Sequence, residues 1–192
     1  DDPATGITEI ARAKGVVGAI VPSTNPAATP ANNIINALKC GNAIVVAPSP
    51  KGVACAEQLI AYVHAEFAKI DEDPDLVQMI PAPGSKEKTQ SLMEQCDMIV
   101  ATGSQNNVHR AQTAGTPAVA VGAGNVTVIV DETAALADAA AKIVASKTFD
   151  NATSCSSENA IVVIEDEWYA LRAELERHGV ASLEGVLDET QV

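Results

Sequence analysis

Gly15-Val-Val-Gly-Ala-Ile-Val21 and Ala43-Ile-Val-Val-Ala47 are short, β-branched runs that stay apolar on consecutive residues. A strand with one wet face alternates apolar and polar side chains, whereas a strand buried on both faces does not. The same texture returns in Val77-Gln-Met-Ile80, Met98-Ile-Val-Ala-Thr102, Ala118-Val-Ala-Val121, Val126-Thr-Val-Ile-Val130 and Ile161-Val-Val-Ile164. Between these runs lie segments with helical character: 30–38, 52–69, 86–95, 106–114, 133–147 and 167–178. Strand and helix alternate along the chain, which predicts an α/β fold with a doubly wound, Rossmann-like parallel sheet. Such sheets take ligands beyond the C-terminal ends of their strands, so the strand-to-helix junctions are where chemistry is expected.

Composition agrees with a packed domain. Of the 192 residues, 47% are hydrophobic and 19% charged, enough apolar material for a core. Aromatics are only 3%, so that core must be built from Ala, Val, Ile and Leu. Twelve Lys and Arg against 25 Asp and Glu leave a formal charge of −13, which repels a phosphate backbone and argues against a nucleic-acid partner. No apolar run reaches the roughly 18 residues of a membrane span, and the four scattered cysteines form no disulfide framework. A cytoplasmic protein with reduced thiols is the expectation. Asp1 and Gln191-Val192 read as the ends of an excerpt from a longer protein, expected to be inactive by itself.

Four junctions stand out. In Val21-Pro-Ser-Thr-Asn-Pro26, Asn25 is either a turn residue before Pro26 or a carboxamide placed to donate to an oxyanion. Ala47-Pro-Ser-Pro-Lys51 closes the second strand, where an adenosine ribose would lie. No acid stands there to hold a 2′-hydroxyl, and Ser49 with Lys51 would tolerate a 2′-phosphate; a rigid proline turn is the plain alternative. Ala101-Thr-Gly-Ser104 opens a helix and offers N–H groups to a pyrophosphate, without the full G-x-G-x-x-G spacing. Val121-Gly-Ala-Gly-Asn125 permits close backbone approach, with a tight strand-to-strand turn as the default. Asp131-Glu-Thr133 is expected to cap the helix that follows.

Cys40, Cys55 and Cys96 read as small core hydrophobes. Cys155 differs, because it sits in Asp150-Asn-Ala-Thr-Ser-Cys-Ser-Ser-Glu-Asn159, ten residues without a large apolar side chain. A thiol in such a segment is either an incidental loop cysteine or a nucleophile presented to substrate, activated by the N–H groups of a neighbouring helix N-terminus. His64, His109 and His178 supply no partner base and no metal-ligand spacing, so no metal is expected.

Together, Thr24-Asn-Pro26, Asn42-Ala-Ile-Val-Val46 with Pro48 and Pro50, Ala101–Ser104, Val121–Asn125 with Asp131–Thr133, and Ser146-Lys-Thr-Phe-Asp-Asn151 leading to Cys155 resemble the aldehyde dehydrogenase superfamily. The likeness is to its CoA-acylating branch, including the aldehyde domain of bifunctional aldehyde–alcohol dehydrogenases and acylating sulfoacetaldehyde dehydrogenases. It implies an NAD(P)-binding domain over residues 1–145 and the start of a second α/β, catalytic domain over 146–192. By the same resemblance, Cys155 is the nucleophile, and Asn25 with the Cys155 N–H holds the oxyanion. Pro48 and Ser49 would meet the adenosine, Gly103 and Ser104 the pyrophosphate, and Gly122 the nicotinamide end.

One departure from the family pattern indicates the acyl acceptor. Hydrolytic members carry a glutamate that activates water, and Ala120 occupies the matching position here. Without a general base, hydrolysis of a thioacyl enzyme loses about 10²–10⁴-fold in rate, whereas a thiol acceptor needs less help. The expected reaction is therefore oxidation of a small aldehyde to an acyl-CoA, with NAD or NADP as cofactor and coenzyme A as cosubstrate. The expected parent is a homo-oligomer. A hydrolytic or acyl-phosphate-reducing relative, or a non-catalytic nucleotide-binding module, is the alternative. The family's ribose-binding lysine is replaced by Ala47, which leaves the choice between NAD and NADP open.

Overall fold

A computed structural model of the chain describes residues 5–8, 10–122 and 124–181. The seven expected strands form at Val16–Val21 (β1), Ala43–Pro48 (β2), Val77–Met79 (β3), Met98–Thr102 (β4), Ala118–Val121 (β5), Val126–Val130 (β6) and Glu158–Val163 (β7). The helices are Ala28–Lys39 (α1), Val53–Phe67 (α2), Lys86–Gln95 (α3), Gln105–Thr113 (α4), Leu136–Thr148 (α5) and Trp168–Arg177 (α6).

The first five strands make one parallel sheet in the order β3-β2-β1-β4-β5. In β1, β2 and β4 the apolar runs are continuous because both faces are covered, whereas Val119 and Val121 of the edge strand β5 stay exposed. On one face, Val17, Ala19 and Val21 of β1 and Ile44 and Val46 of β2 pack against Ile34 and Ala37 of α1 and Ile60 of α2. On the other, Ile20, Ala47, Ile99 and Ala101 pack against Met93 of α3 and Ala111 of α4. Buried Pro30, Ile34 and Ala37 recur at helical spacing on α1, and Pro30 costs no hydrogen bond because it lies in the first turn. Gly18 is dictated by contact, since a Cβ there would come within 2.8 Å of the Cys96 sulfur.

The chain divides into two compact units, Asp1–Ala123 and Gly124–Val192. In the second unit, β6 and β7 form a separate parallel pair, and Val130, Ala140 of α5 and Leu171 of α6 form its own small core. The expected boundary at 145/146 followed family motifs; compactness divides the chain earlier, because β6 and α5 pack with β7 and α6. The expected strand-to-strand turn after Val121 does not join neighbouring strands, as β5 and β6 belong to different sheets. Asp131 does not cap α5 either. Its carboxylate accepts from the Thr133 N–H (3.0 Å) and hydroxyl (2.6 Å), closing a local turn five residues ahead of the helix. Those two hydrogen bonds, the hydroxyl's first, hold the Asp131 carboxyl below the ordinary carboxylate range.

Candidate functional site

Strand order decides what the junctions can do together. After β1 the chain winds outward through β2 to β3, then returns to place β4 on the other side of β1. The reversal lies between β1 and β4, the place where an open α/β sheet leaves a crevice at its C-terminal edge. Register aligns Val21 with Pro48, Ile20 with Ala101 and Thr102 with Val121, so the loops after β2, β1, β4 and β5 emerge side by side. Backbone bonds stitch them together: the Ser49 N–H donates to the Val21 carbonyl and the Gly103 N–H to the Val121 carbonyl, both at 3.1 Å. Asn25, Pro48, Ser49, Gly103, Ser104 and Gly122 thus share one sheet edge.

Asn25 does two things at once. Its Oδ1 accepts from the Ala28 N–H at 3.1 Å and so closes the entry to α1. With the oxygen fixed, the exposed Nδ2 donates to nothing among the described residues. The turn residue and the oxyanion donor, posed as alternatives from the sequence, are compatible in one side chain.

Ser104 is the N-cap of α4. Its hydroxyl accepts from the Asn107 N–H (3.3 Å), and no acid sits in the helix's first turn. Gly103 is open, with only Asn107 Nδ2 (3.8 Å) and Pro22 Cβ (4.0 Å) near a hypothetical Cβ. Gly122 is the opposite case, because a Cβ there would come within 2.8 Å of Gln105 Oε1 and 3.0 Å of Val108 Cγ2. Glycine at 122 lets the β5 end press against the first turn of α4, where a larger residue would displace the Gln105 side chain and crowd Val108. Beneath α2, the Ser49 hydroxyl is buried with no hydrogen-bond partner. A polar atom left so costs about 1–3 kcal/mol until something satisfies it.

Charge separates the two ends of this sheet. No Asp or Glu occurs over residues 10–56 or 98–130, so the junctions after β1, β2, β4 and β5 are free of carboxylates, and Glu87 in the first turn of α3 is the acid on the C-terminal edge after β3. Asp71, Asp73, Asp75 and Asp97 instead precede β3 and β4, at the N-terminal edge. In a chain carrying −13, that distribution leaves the helix N-termini at the crevice unopposed and makes the edge receptive to anions. The signal lay in the sequence, but which junctions face together came from topology. The orphaned Ser49 hydroxyl, the Gly103 opening and the acid-free junctions fit a phosphorylated cofactor such as NAD(P).

Cys155 belongs to the second unit. It is exposed, in a turn between α5 and β7, and its own N–H donates to nothing among the described residues. Among the described residues of the second unit no α-helix begins beside it, because the bulged start of β7 follows at Glu158. Neighbouring side chains tie the turn. Thr153 Oγ1 donates to the Asp150 carbonyl (2.7 Å) and Oδ2 (2.9 Å), and the Ser154 and Ser156 hydroxyls meet at 2.8 Å. Lys147 Nζ donates to Asn159 Oδ1 at 2.9 Å, linking the two ends of the loop. Glu158, beside it, keeps its carboxyl below the usual range through a hydrogen bond with the Ser146 side chain, with Lys147 adding to the effect.

Three consecutive residues before Cys155 hold positive φ: Asp150 (50°), Asn151 (52°) and Ala152 (59°). Asp and Asn tolerate this region, whereas a Cβ on alanine is penalised by roughly 1–2 kcal/mol. Ala152→Gly is expected to stabilise the second unit by about 1 kcal/mol after the added freedom of the unfolded chain is offset. Urea unfolding read at Trp168 checks this, and an unchanged or lower midpoint would contradict it.

The remaining cysteines divide. Cys96 is core, and burial pushes its thiol up. Cys55 is half-buried on α2, but Cys40 is exposed, because α1 ends there and turns its last residues outward. His64 is not a free surface residue, since its Nε2 lies 2.8 Å from the Val77 carbonyl and ties α2 to β3.

The aldehyde dehydrogenase family model matches residues 2–183. The chain belongs to the aldehyde dehydrogenase family. An acylating sulfoacetaldehyde dehydrogenase of Cupriavidus necator is 65% identical over 164 residues, covering 85% of this chain and 33% of that protein. The chain therefore spans about a third of the length of that curated relative. The crystal structure of Rhodopseudomonas palustris propionaldehyde dehydrogenase with bound propionyl-CoA matches with TM-score 0.78 and 34% identity, covering 86% of this chain and 37% of that one. An engineered glycolyl-CoA reductase with bound NADP+ matches with TM-score 0.79 and 33% identity, over 86% and 38% of the two chains. These family members share the α/β fold and the parallel sheet of the first unit.

Proposed function

We propose that this chain is the cofactor-binding unit and nucleophile-bearing segment of an NAD(P)-dependent, CoA-acylating aldehyde dehydrogenase acting on a small aldehyde. The observation that carries the acylating reading is Ala120. Its methyl lies on β5, opposite Ala101, packed against the cluster of Ile20, Ile99 and Ala111. Where hydrolytic family members hold a water-activating carboxylate, this chain has a packed methyl group and no acid for ten residues on either side.

In the proposed reaction the Cys155 sulfur attacks the aldehyde carbon, and the carbonyl oxygen gains the electron pair. By the family resemblance the Asn25 Nδ2 and the Cys155 N–H, neither of which donates to a described residue, would donate to that oxyanion. Ser49, Gly103, Ser104 and Gly122 would seat the cofactor. When bound, its nicotinamide ring supplies the hydride acceptor, so that a thioester is left on Cys155. The thiol of coenzyme A then displaces Cys155 and carries the acyl group away. Ala120 cannot assist water at that stage, so the thioester waits for the better nucleophile. The 65% identity to a sulfoacetaldehyde enzyme supports a small, anionic aldehyde as substrate, and a cytoplasmic homo-oligomer completes the proposal.

The test is acceptor dependence. In the full-length enzyme, aldehyde-dependent NAD(P)H formation is expected to rise about 100-fold or more on adding coenzyme A, with acyl-CoA as product. Turnover to the free acid at the same rate without coenzyme A would overturn the reading.

A further inference from the structure

Resting on the assignment of Cys155 as the nucleophile, we propose that Asn159, held by Lys147, is a positioning residue for the sulfur. Its carboxamide closes the neck of the loop that carries Cys155 and so fixes where the thiol stands. Residues 149–157 separate the end of α5 from the start of β7. Little anchors them from within. Phe149, the large apolar side chain of the loop, is 70% exposed, and the hydrogen bonds inside the loop join residues at most three apart. Such bonds set the shape of a loop but not its place against the strand beside it.

A β-bulge puts Asn159 in reach of the neck. Val126 faces Glu158 and Thr127 faces Ala160, so Asn159 is the extra residue, released from strand pairing and free to turn across the loop. Its Oδ1 accepts from Lys147 Nζ at 2.9 Å, and its Nδ2 donates to the Gly124 carbonyl at a longer 3.5 Å. Both contacts require the same orientation of the amide, because an ammonium can only donate and a carbonyl can only accept. One side chain thereby joins three segments: the last turn of α5, the first residues of β7 and the connector that enters β6. Lys147 is set apart from the other Lys and Arg side chains of the second unit. Lys142, Arg172 and Arg177 each pair with a carboxylate three or four residues away on their own helix, whereas Lys147 reaches twelve residues along the chain to a neutral amide. Glu158 and the Ser146 side chain make a second tie beside it, so loss of the first loosens the neck without releasing it. A reacting atom misplaced by about 1 Å loses up to roughly 10²-fold in rate, which makes even a loosened neck measurable.

The experiment is single-turnover formation of NAD(P)H by the full-length enzyme carrying Asn159→Leu, Lys147→Met or both. Leucine keeps the bulk of Asn159 and removes both contacts; methionine keeps the lysine stem and removes the ammonium. Each single variant is expected to slow the step about tenfold, with aldehyde KM and cofactor affinity within about twofold of the parent. The double variant should be no slower than the slower single, since both substitutions remove one shared contact. Lys147→Arg, which can still donate, should stay within about threefold of the parent rate. The Lys147–Asn159 bond lies at the surface, so thermal midpoints should hold. Three results would each overturn the proposal while coenzyme A-dependent turnover of the parent stands. They are single variants within about twofold of the parent rate, effects that multiply in the double variant, and a fall matched by loss of thermal stability or nucleotide binding. Full activity of Cys155→Ala would instead remove the nucleophile assignment on which it rests.

Discussion

Cys155→Ala in the full-length enzyme is expected to lower aldehyde-dependent NAD(P)H formation by at least about 10⁴-fold, with no loss of nucleotide binding. No other side chain in the loop can take over. The hydroxyls of Thr153, Ser154 and Ser156 are engaged with Asp150 or with one another, and a neutral hydroxyl is a far weaker nucleophile than a thiolate. Because the sulfur is exposed, its removal leaves no cavity and the thermal midpoint should hold. Single-turnover measurement with aldehyde and cofactor checks the loss at the chemical step. Residual turnover within tenfold of the parent would show that Cys155 is an incidental loop thiol.

Asn25→Asp is expected to cost about 10²–10³-fold in kcat while leaving stability unchanged. The substitution separates the two uses of the side chain. Aspartate keeps the oxygen that accepts from the Ala28 N–H, and is as good a helix-entry residue as asparagine, but it has no N–H to offer an oxyanion. Its charge would also oppose the developing negative oxygen. Asn25→Ala should lose the same rate and, in addition, about 1 kcal/mol of stability from the missing helix-entry bond. If aspartate retained full kcat, Asn25 would be a turn residue and nothing more. A matched fall in rate and thermal midpoint for both variants would point the same way.

The fold was readable because its signal is local and repeated. Continuous apolar runs of four to six residues separated by helical stretches arise wherever helices must cover both faces of a parallel sheet, and each expected strand lies within three residues of an observed one. Misjudged details were those in which local chemistry has two outlets. Asp131 closes its own turn instead of capping a helix, since Thr133 supplies two donors within reach before the helix begins. Cys40 and Cys96 sit in similar apolar company in the sequence, yet one ends a helix facing outward and the other fills the space left by Gly18. The polar loop that carries Cys155 runs into a bulged strand start, where Val126 faces Glu158 but Thr127 faces Ala160, leaving Asn159 unmatched between them.

Composition and order alone make this chain an acid-rich α/β protein of the aldehyde dehydrogenase family, with a cysteine in a polar loop and no acid over residues 98–130. These properties depend on which residues are present and in what succession. The tertiary structure alone decides that the carboxylate-free stretches around residues 25, 49, 103 and 122 converge on a single edge, and that their acidic counterparts collect at the other. Convergence depends on the strand order 3-2-1-4-5, which is set by how helices pack across two faces of a sheet and is written in no single segment.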